Sequence, residues 1–442
     1  MTHFDLIVIG SGPAGEKGAA QAAYFGKRVA LVERRDILGG ARIHNCALPS
    51  KALRETASRR GDPGDARLSE LLCRREPLVS SEVARVTDNL RRHGVTVLYG
   101  HARFTGAHSV DVGGRAYTAD VFLIATGSKP VRPSEIPFDH PRVDDTDTFL
   151  RVQQIPRSLV VAGGGVIGCE LASMLARLGV EVTLIDRSDR LLRFADADVS
   201  RTLADSFRAD GIRLRLGEHV SGVRPDDDGV TVELGASTAL RADRALFCVG
   251  RAGNTASLGV DAAGVLLGDR GLVSVDDRYR TAVPHIYAAG DIVGFPGLAS
   301  TSMEQARLAM CDAFDLRYKT RVSPILPLGI YTIPEFSMVG ETEQSARRAG
   351  IDCEVGRAWY RDNPRGQLLG DAAGLLKLVF CRETRRLLGA HIVGERAADL
   401  IHIASANMQH GAAIDAFIDA VYNYPTLSEL YKYAAYDGLG RL

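Results

Sequence analysis

The chain has 442 residues, with 54 basic and 54 acidic side chains, so its formal net charge is zero. Hydrophobic residues make up 45% and charged residues 24%, which is typical of a folded globular protein and excludes a disordered chain. A balanced charge also argues against nucleic acid as a partner, because proteins that bind polyanions carry an excess of basic residues. At about 100 to 200 residues per domain, the length predicts roughly three domains.

The cysteines predict neither a zinc site nor a disulfide scaffold, because they form no CxxC pair and no close cluster with histidine. They are Cys46, Cys73, Cys169, Cys248, Cys311, Cys353 and Cys381. The amino terminus lacks the basic region and long apolar run of a secretory signal, and the sequence has no run of about 18 apolar residues. We therefore expect a reduced, cytoplasmic protein with no metal site and no membrane partner.

The first element is an apolar strand from Leu6 to Ile9 that leads into a glycine-rich turn and a helix of small residues. A second apolar strand follows and ends at Glu33. The glycines of the turn are Gly10, Gly12 and Gly15. This pattern is typical of a parallel βαβ unit, whose glycines allow a tight turn and a close approach of the backbone to a pyrophosphate at the helix N-terminus.

Residues 52–95 carry apolar positions at helical spacing, which predicts a connecting pair of helices interrupted at residues 61–64. The next notable element is a strand that ends in the turn Ala125-Thr126-Gly127-Ser128. We interpret Thr126 and Gly127 as candidate cofactor contacts at this strand end.

The βαβ pattern recurs after residue 158, where an apolar strand leads to a second glycine turn, a helix and a strand that ends at Asp186. The glycines of this copy are Gly163, Gly165 and Gly168. Glu33 and Asp186 each follow the first glycine of their turn by 23 residues. An acidic residue at this position is expected to bind ribose hydroxyls, so the repeat predicts two dinucleotide sites.

Two bound dinucleotides indicate a redox relay between a tightly held flavin and a diffusible nicotinamide. We place FAD on the first unit and NAD(P)H on the second. Gly250, after the last apolar strand of the second unit, joins the candidate cofactor contacts, as does Asp291, where the segment from Thr281 ends. From Leu326 the sequence changes to strands followed by helices, which predicts a third domain of the α+β class.

The predicted fold is therefore α/β, with two Rossmann-like domains and a carboxyl-terminal α+β domain. An FAD domain is expected over residues 1–150 and 275–325, an NAD(P) domain over residues 151–274, and a third domain over residues 326–442.

Along essentially its whole length the sequence resembles the pyridine nucleotide-disulfide oxidoreductases, and among them it is most similar to the soluble NAD(P)+ transhydrogenases. The segments that carry the resemblance are Gly165-Val-Ile-Gly-Cys-Glu170, Gly329-Ile-Tyr-Thr-Ile-Pro-Glu335, Gly394-Glu-Arg-Ala-Ala398 and Tyr422-Asn-Tyr-Pro-Thr426. The resemblance implies a homodimer or larger homo-oligomer in which NADPH passes hydride to the flavin and NAD+ then accepts it. It also implies that Lys51 lies near the flavin, paired with Glu170.

The sequence departs from the disulfide-using members of this family. Those proteins carry two cysteines, spaced CxxxxC, before a Pro-Ser-Lys sequence. Ahead of Pro49-Ser50-Lys51, the two positions here hold Arg42 and Ala47. Cys46 is one residue away from the second position and has no partner, so a redox-active dithiol is not expected.

The carboxyl-terminal motif also differs from that of the disulfide reductases. Disulfide reductases have a histidine before Pro-Thr, where this chain has Tyr424, and they share the following Glu429. A tyrosine, with a pKa of about 10, is a poor base at neutral pH, so the acid-base chemistry of thiols is lost. Tyr424 and Glu429 remain candidate catalytic residues that, by the resemblance, reach the flavin site of a partner subunit.

The residues at the end of the second βαβ unit give conflicting predictions of which nicotinamide binds. Asp186 suits the ribose hydroxyls of NAD and would repel a 2′-phosphate, whereas Arg187 and Arg193 stand where NADPH-using relatives place phosphate-binding arginines. An enzyme that serves both cofactors could use all three residues. The opposing interpretation is that the arginines are solvated surface charges.

Three other functions stay open at this point. Reduced flavin without a disulfide could pass electrons to a quinone or another small acceptor. A thiol-disulfide reductase of the lipoamide dehydrogenase type is a further alternative. Finally, the chain could be a flavoprotein with little turnover that serves as a binding subunit, for which Arg42 is the main argument.

Overall fold

The structure is a computed structural model, and it describes residues 1–45, 47–58, 76–235 and 238–442. Cys46, Cys73 and the predicted helix break at 61–64 lie outside the described residues. The described helices on either side of the gap, Ala47–Ser58 and Glu76–Arg92, agree with the predicted helical connection.

The helices, in chain order, are α1 (Pro13–Tyr24), α2 (Gly40–His44), α3 (Ala47–Ser58), α4 (Glu76–Arg92), α5 (Thr146–Phe149), α6 (Val166–Arg177), α7 (Ala197–Ala209), α8 (Ala299–Ala313), α9 (Glu343–Arg348), α10 (Pro364–Leu369), α11 (Ala397–Gln409), α12 (Asp415–Asp419) and α13 (Leu430–Leu439). Short 3-10 turns lie at Val260–Ala263, Asp269–Gly271, Asp291–Val293, Tyr360–Asp362 and Leu427–Glu429.

The strands of the amino-terminal part are β1 (Thr2–Ile9), β2 (Val29–Glu33), β3 (Thr96–Tyr99), β4 (Ala102–Gly106), β5 (Ser109–Val112), β6 (Arg115–Ile124), β7 (Ser128–Pro130) and β8 (Val143–Asp145). Those of the middle part are β9 (Ser158–Ala162), β10 (Glu181–Asp186), β11 (Arg213–Leu216), β12 (Val220–Pro225), β13 (Val230–Leu234), β14 (Thr238–Ala242), β15 (Arg244–Phe247), β16 (Arg251–Gly253) and β17 (Ile286–Ala288). The last strands are β18 (Leu328–Ile330), β19 (Phe336–Gly340), β20 (Cys353–Trp359), β21 (Leu375–Cys381) and β22 (Leu387–Val393).

A first compact unit comprises Met1–Ala52, Leu72–Val131 and Gly250–Ser323. Its main sheet has the parallel order β3-β2-β1-β6-β17, and the β4–β5 hairpin continues antiparallel from β6. The run from Leu6 to Ile9 is buried on both faces, because α1 and α8 cover one side and β4, β5 and residues 258–293 contribute to the core on the other. An uninterrupted apolar run is typical of a parallel strand covered on both faces.

The second compact unit comprises Leu53–Leu71, Arg132–Val249 and Pro324–Leu442. It contains a parallel sheet of order β11-β10-β9-β15-β8 and an antiparallel sheet of order β12-β13-β14. Its carboxyl-terminal sheet is antiparallel, of order β18-β19-β22-β21-β20, and shares one core with α11 and α13. Together these sheets confirm the predicted fold class. Among the described residues, no helix has both the length and the apolar character that a membrane span requires.

Candidate functional site

The first glycine turn joins β1 to α1, and two of its glycines have no room for a side chain. Gly10 has a φ of 107°, and a Cβ there would lie 2.4 Å from the carbonyl oxygen of Ala125. A Cβ on Gly15 would lie 1.8 Å from the carbonyl oxygen of Gly10, so only glycine lets α1 pack against the end of β1. Gly12 differs, because a Cβ there would meet nothing within 4 Å. The turn is therefore open at Gly12, where α1 begins without a side-chain cap.

Glu33, at the end of β2, is tied to this turn through Ser11. The Ser11 backbone N–H and hydroxyl donate to Glu33 Oε2 at 3.1 and 2.6 Å, and the Arg35 backbone N–H donates to Oε1 at 3.1 Å. Ser11 Oγ in turn accepts the backbone N–H of Gly39 at 2.9 Å. The carboxylate is thus held beside the glycine turn. Sequence analysis missed Ser11, because its position between the first two glycines is unrestricted in the motif.

The second turn, between β9 and α6, repeats this geometry. Gly163 has a φ of 116°, and a Cβ there would lie 2.5 Å from the carbonyl oxygen of Cys248. A Cβ on Gly168 would lie 1.8 Å from the carbonyl oxygen of Gly163, and one on Gly165 would meet nothing within 4 Å. The repeat seen in the sequence is therefore a repeat in three dimensions.

Backbone hydrogen bonds hold the carboxylate of Asp186 in the same way as that of Glu33. Its Oδ2 accepts the backbone N–H of Gly164 at 2.5 Å, and its Oδ1 accepts that of Ser188 at 2.7 Å. Arg187 and Arg193 follow after β10, and both are exposed. Neither guanidinium takes part in an ion pair within the described part of the chain.

The same edge of the first unit also carries Thr126, Gly127 and Asp291. Ser128 Oγ donates to Asp291 Oδ2 at 2.8 Å. Gly290, one residue earlier, would place a Cβ 3.3 Å from that of Ala14, so Asp291 lies close to the start of α1. Thr126 Oγ1 is buried and has no hydrogen-bond partner among the described residues. A buried hydroxyl without a partner is uncommon in proteins and marks a position where a ligand atom can bind.

Two further residues support this edge and were missed by sequence analysis. Arg251 donates to Ser128 from Nε to Oγ at 2.7 Å and from Nη2 to the carbonyl oxygen at 2.9 Å. Asn254 Nδ2 donates to the carbonyl oxygen of Thr126 at 3.0 Å. Gly250 lies next to them in the first unit, with a φ of 125°, and its carbonyl oxygen accepts the backbone N–H of Val131 at 3.0 Å.

Lys51 and Glu170 are each placed by local contacts. Lys51 lies on α3, is partly buried, and its Nζ is 3.4 Å from Ser50 Oγ. Glu170 lies on α6, is 5% exposed, and its Oε1 accepts the backbone N–H of Tyr331 at 2.9 Å. Glu170 therefore anchors the segment before β19. The pairing of Lys51 with Glu170 stays a prediction.

The carboxyl-terminal candidates differ in exposure. The side chain of Tyr424 is 74% exposed. Glu429 Oε2 accepts the backbone N–H of Thr426 at 3.4 Å and so caps the 3-10 turn that precedes α13. Within this chain Glu429 thus has a structural contact, whereas Tyr424 is directed to solvent.

Arg42 belongs to a cluster of charged side chains on α1, α2 and α4. Its Nη2 lies 3.5 Å from Glu82 Oε2 and 3.8 Å from Glu16 Oε2. Burial alone would raise the pKa of Glu16, but hydrogen bonds and positive charge from Lys17 and Arg85 outweigh it and hold the pKa below its usual range. The place of the first redox cysteine is therefore taken by a cation whose charge is balanced by neighbouring carboxylates.

The comparison with protein families matches almost the whole chain. The model of the pyridine nucleotide-disulphide oxidoreductase matches residues 4–309, and the dimerisation domain of the same proteins matches residues 326–435. The soluble pyridine nucleotide transhydrogenase of Chromohalobacter salexigens is 40% identical, with 100% of this chain and 99% of the relative covered. That of Pseudomonas syringae is also 40% identical, with the same coverage.

Two solved structures are similar to this chain over nearly its full length. The Cu(II) complex of the HOCl-induced flavoprotein disulfide reductase RclA from Escherichia coli has a TM-score of 0.92 and 28% identity, over 99% of both chains. LpdA from Mycobacterium tuberculosis has a TM-score of 0.89 and 27% identity, again over 99% of both chains.

Proposed function

Because the chain belongs to the pyridine nucleotide-disulphide oxidoreductase family, we propose that it is a transhydrogenase that moves hydride from NADPH through FAD to NAD+, reversibly and without a redox-active disulfide. It is an oxidoreductase that depends on FAD and uses NAD(P)H. The observation that carries the specific proposal is the repeated turn geometry: two units each present an open glycine turn beside a clamped carboxylate.

The first unit fits the requirements of FAD. We assign the pyrophosphate to the open turn at Gly12, where backbone N–H groups at the start of α1 can bind it, and the ribose hydroxyls to Glu33. The hydroxyl of Thr126 has no hydrogen-bond partner among the described residues and Asp291 lies at the same strand ends, so both can take polar atoms of the flavin or its ribityl chain. When bound, FAD supplies a carrier that accepts hydride from one nicotinamide and returns it to another.

The second unit fits a nicotinamide dinucleotide that exchanges during turnover. Gly165 leaves the turn open, and we assign the ribose hydroxyls to the Asp186 carboxylate, which is held beside that turn. Arg187 and Arg193 supply positive charge for a 2′-phosphate, so the site can accept NADPH as well as NAD+. We assign Lys51 and Glu170 to the polar contacts that orient the two reacting rings, since the reaction needs alignment and no protein nucleophile.

We further propose a homodimer in which residues 326–442 form the interface and Tyr424 and Glu429 approach the partner's FAD site. In this plan residues 1–150 and 275–325 bind FAD and residues 151–274 bind NAD(P). The match to a dimerisation domain and the exposure of the large side chains of Val421, Tyr424 and Tyr433 support such an interface. We place the protein in the cytoplasm, in line with the soluble relatives.

The proposal is tested by anaerobic titration with NADPH of the oxidised holoenzyme, purified without any thiol reductant. If the flavin is the only redox group, its absorbance should bleach with one equivalent of NADPH per flavin, and NAD+ should restore the colour. A redox-active disulfide would take up a second equivalent, which would contradict the proposal.

The same titration separates the alternative functions. If a quinone restores the colour and NAD+ does not, the protein is an NAD(P)H dehydrogenase rather than a transhydrogenase. If NADPH never bleaches the flavin, the enzyme proposals fail together and a binding role is favoured.

A further inference from the structure

Two cysteines stand opposite each other in the carboxyl-terminal sheet. Cys353 is the first residue of β20 and Cys381 is the last residue of β21, and they are direct cross-strand partners in the antiparallel register. β20 is an edge strand, so the pair lies at one end of the outermost ladder of the sheet. Neither cysteine has a part in the proposed hydride transfer.

The backbone hydrogen bonds show which kind of cross-strand pair this is. The backbone N–H of Arg382 donates to the carbonyl oxygen of Asp352 at 3.0 Å, so these two residues form a hydrogen-bonded pair. Pairs alternate along an antiparallel ladder, and Cys353 with Cys381 is therefore a non-hydrogen-bonded pair, in which the Cα atoms are about 4.5 Å apart. Disulfides span Cα separations of about 4.4 to 6.8 Å, so this spacing permits a covalent link without moving the strands.

Both thiols are on the same face of the sheet. Directly opposed residues share a face, and the next pair on that face is Val355 with Val379. These valines, Cys353 and Ala346 of α9 form one small buried cluster. Cys353 and Cys381 therefore share one face of the sheet, and Cys353 packs with Ala346 of α9 on that face.

The environments of the two thiols differ in the way that a stepwise oxidation requires. Cys381 is partly exposed, and hydrogen bonds from the side chain and backbone of Thr384 lower the pKa of its thiol. Cys353 is 6% exposed, and burial raises the pKa of its thiol, although Arg347 opposes this effect. An accessible sulfur with thiolate character is the better nucleophile, and a buried neighbour is suited to resolve it.

We propose that Cys353 and Cys381 form a reversible disulfide when the protein meets a hydroperoxide. In the first step the Cys381 thiolate attacks the peroxide and the O–O bond breaks. The products are a sulfenic acid and either hydroxide, from hydrogen peroxide, or an alkoxide, from an organic hydroperoxide, which is then protonated to water or an alcohol. In the second step the Cys353 sulfur displaces hydroxide from the sulfenic sulfur, its thiol proton is lost, and a disulfide and water form. Two electrons pass from the two thiols to the peroxide, and a dithiol reductant reverses the change.

The proposal is independent of the transhydrogenase assignment, because neither cysteine is assigned to a cofactor or to the hydride transfer. If the NADPH titration contradicts the transhydrogenase proposal, the disulfide proposal is unaffected. If the disulfide does not form, the proposed hydride transfer is equally unaffected.

The test is peptide mapping of the full-length holoenzyme, first reduced and then treated with hydrogen peroxide. Trypsin places the two cysteines in separate short peptides, residues 349–357 and 378–382, each with no other cysteine. We expect a linked pair of these peptides, lighter by about 2 Da than the sum of the reduced peptides, that disappears with dithiothreitol. Two unlinked peptides in which both cysteines remain thiols or pass to higher acids would overturn the proposal.

Single variants test the order of the steps. In Cys353→Ser, the Cys381 sulfenic acid should persist and be trapped by a 1,3-dione. In Cys381→Ser, Cys353 should remain a thiol at the same peroxide dose. If the wild type and Cys353→Ser convert Cys381 to the sulfinic acid at equal rates, Cys353 does not resolve the sulfenic acid and the proposal is wrong. Circular dichroism establishes that each variant is folded.

Discussion

The Asp186 carboxylate accepts the backbone N–H of Gly164 at 2.5 Å, inside the glycine turn that precedes it by 22 residues. Glu33 and Ser11 have the same relationship in the first unit, at 3.1 Å. One oxygen of each carboxylate thus holds the turn. The other accepts a backbone N–H from the loop after the strand. The acidic residue shapes its glycine turn as well as offering charge to a ribose.

This double contact sharpens the expected effect of Asp186→Asn. Asparagine keeps one acceptor oxygen but presents an NH2 group to one of the two backbone N–H donors, so binding of both nicotinamides should weaken. The loss of negative charge removes repulsion of a 2′-phosphate, so kcat/KM for NADPH relative to NADH should rise about tenfold, which is about 1.4 kcal/mol. Steady-state kinetics with each nicotinamide measure the ratio, and an unchanged ratio would refute the role of Asp186.

Glu33→Gln is the matched control for that variant, since it alters the equivalent contacts in the first unit. We expect it to lower the FAD content of the purified protein and to leave the ratio of NADPH to NADH use unchanged. A change in that ratio would show that the two sites are not assigned correctly.

Arg187 and Arg193 should discriminate between the nicotinamides through the 2′-phosphate alone. The double variant Arg187→Ala/Arg193→Ala should lower kcat/KM for NADPH by about ten- to hundredfold, as expected for loss of charge-assisted hydrogen bonds, with little change for NADH. Arg157→Ala is the control, because that arginine is exposed at the other end of β9 and pairs with Asp243. Equal losses for both nicotinamides would contradict the assignment.

The glycine turns were predictable because their cause is local: a positive φ and the lack of space for a Cβ act within a few residues of Gly10 and Gly163. Other contacts were not predictable, since they depend on the tertiary fold. Ser128 meets Asp291 across 163 residues of sequence. The sequence showed that Arg42 replaces a cysteine, but its approach to the carboxylates of α1 and α4 depends on how those helices pack.

Ser128 allows a test of the predicted FAD contact of Asp291 without a change to Asp291 itself. Its hydroxyl donates to Asp291 and accepts from Arg251, so Ser128→Ala removes the contact that orients the Asp291 carboxylate. We expect the Kd for FAD to rise about tenfold, since a hydrogen bond to a charged group contributes about 1.5 to 3 kcal/mol. Ser134→Ala, at an exposed loop position, is the control. An unchanged Kd would show that Asp291 does not contact FAD.

At the partner's FAD site Tyr424 should act through its ring and not through its hydroxyl, because the proposed reaction has no thiol to protonate. Tyr424→Phe removes the hydroxyl and keeps the ring, and we expect kcat for transhydrogenation to change less than twofold. A pH profile of kcat for both proteins is the measurement. A large loss accompanied by a missing limb in the profile would show that the hydroxyl takes part in proton transfer.

Lys377 anchors a buried ion cluster in the second unit. Its Nζ lies 2.9 Å from Asp196 Oδ1, 2.9 Å from Asp198 Oδ2 and 2.6 Å from Glu343 Oε2, and its side chain is fully buried. Lys377→Met would leave Asp196 buried without its cation, which should lower the free energy of unfolding by about 3 to 5 kcal/mol. Denaturant unfolding measures the change.

The exposed Lys129 gives the control for that variant, and Lys129→Met should change the free energy of unfolding by less than about 0.5 kcal/mol. A small effect of Lys377→Met would mean that the carboxylates of the cluster become protonated or hydrated at little cost.

The cluster also predicts how stability depends on pH. Burial alone would raise the pKa of Asp198, but hydrogen bonds from Arg357 and Lys377 outweigh it and lower the pKa from 3.8 to about 2. Between these values the unfolded chain binds more protons than the folded one, so this stabilisation is complete above about pH 4 and is lost as the pH falls toward 2. Unfolding curves from pH 5 to 2.5 should show a steeper loss in the wild type than in Lys377→Met, and parallel curves would contradict the assignment.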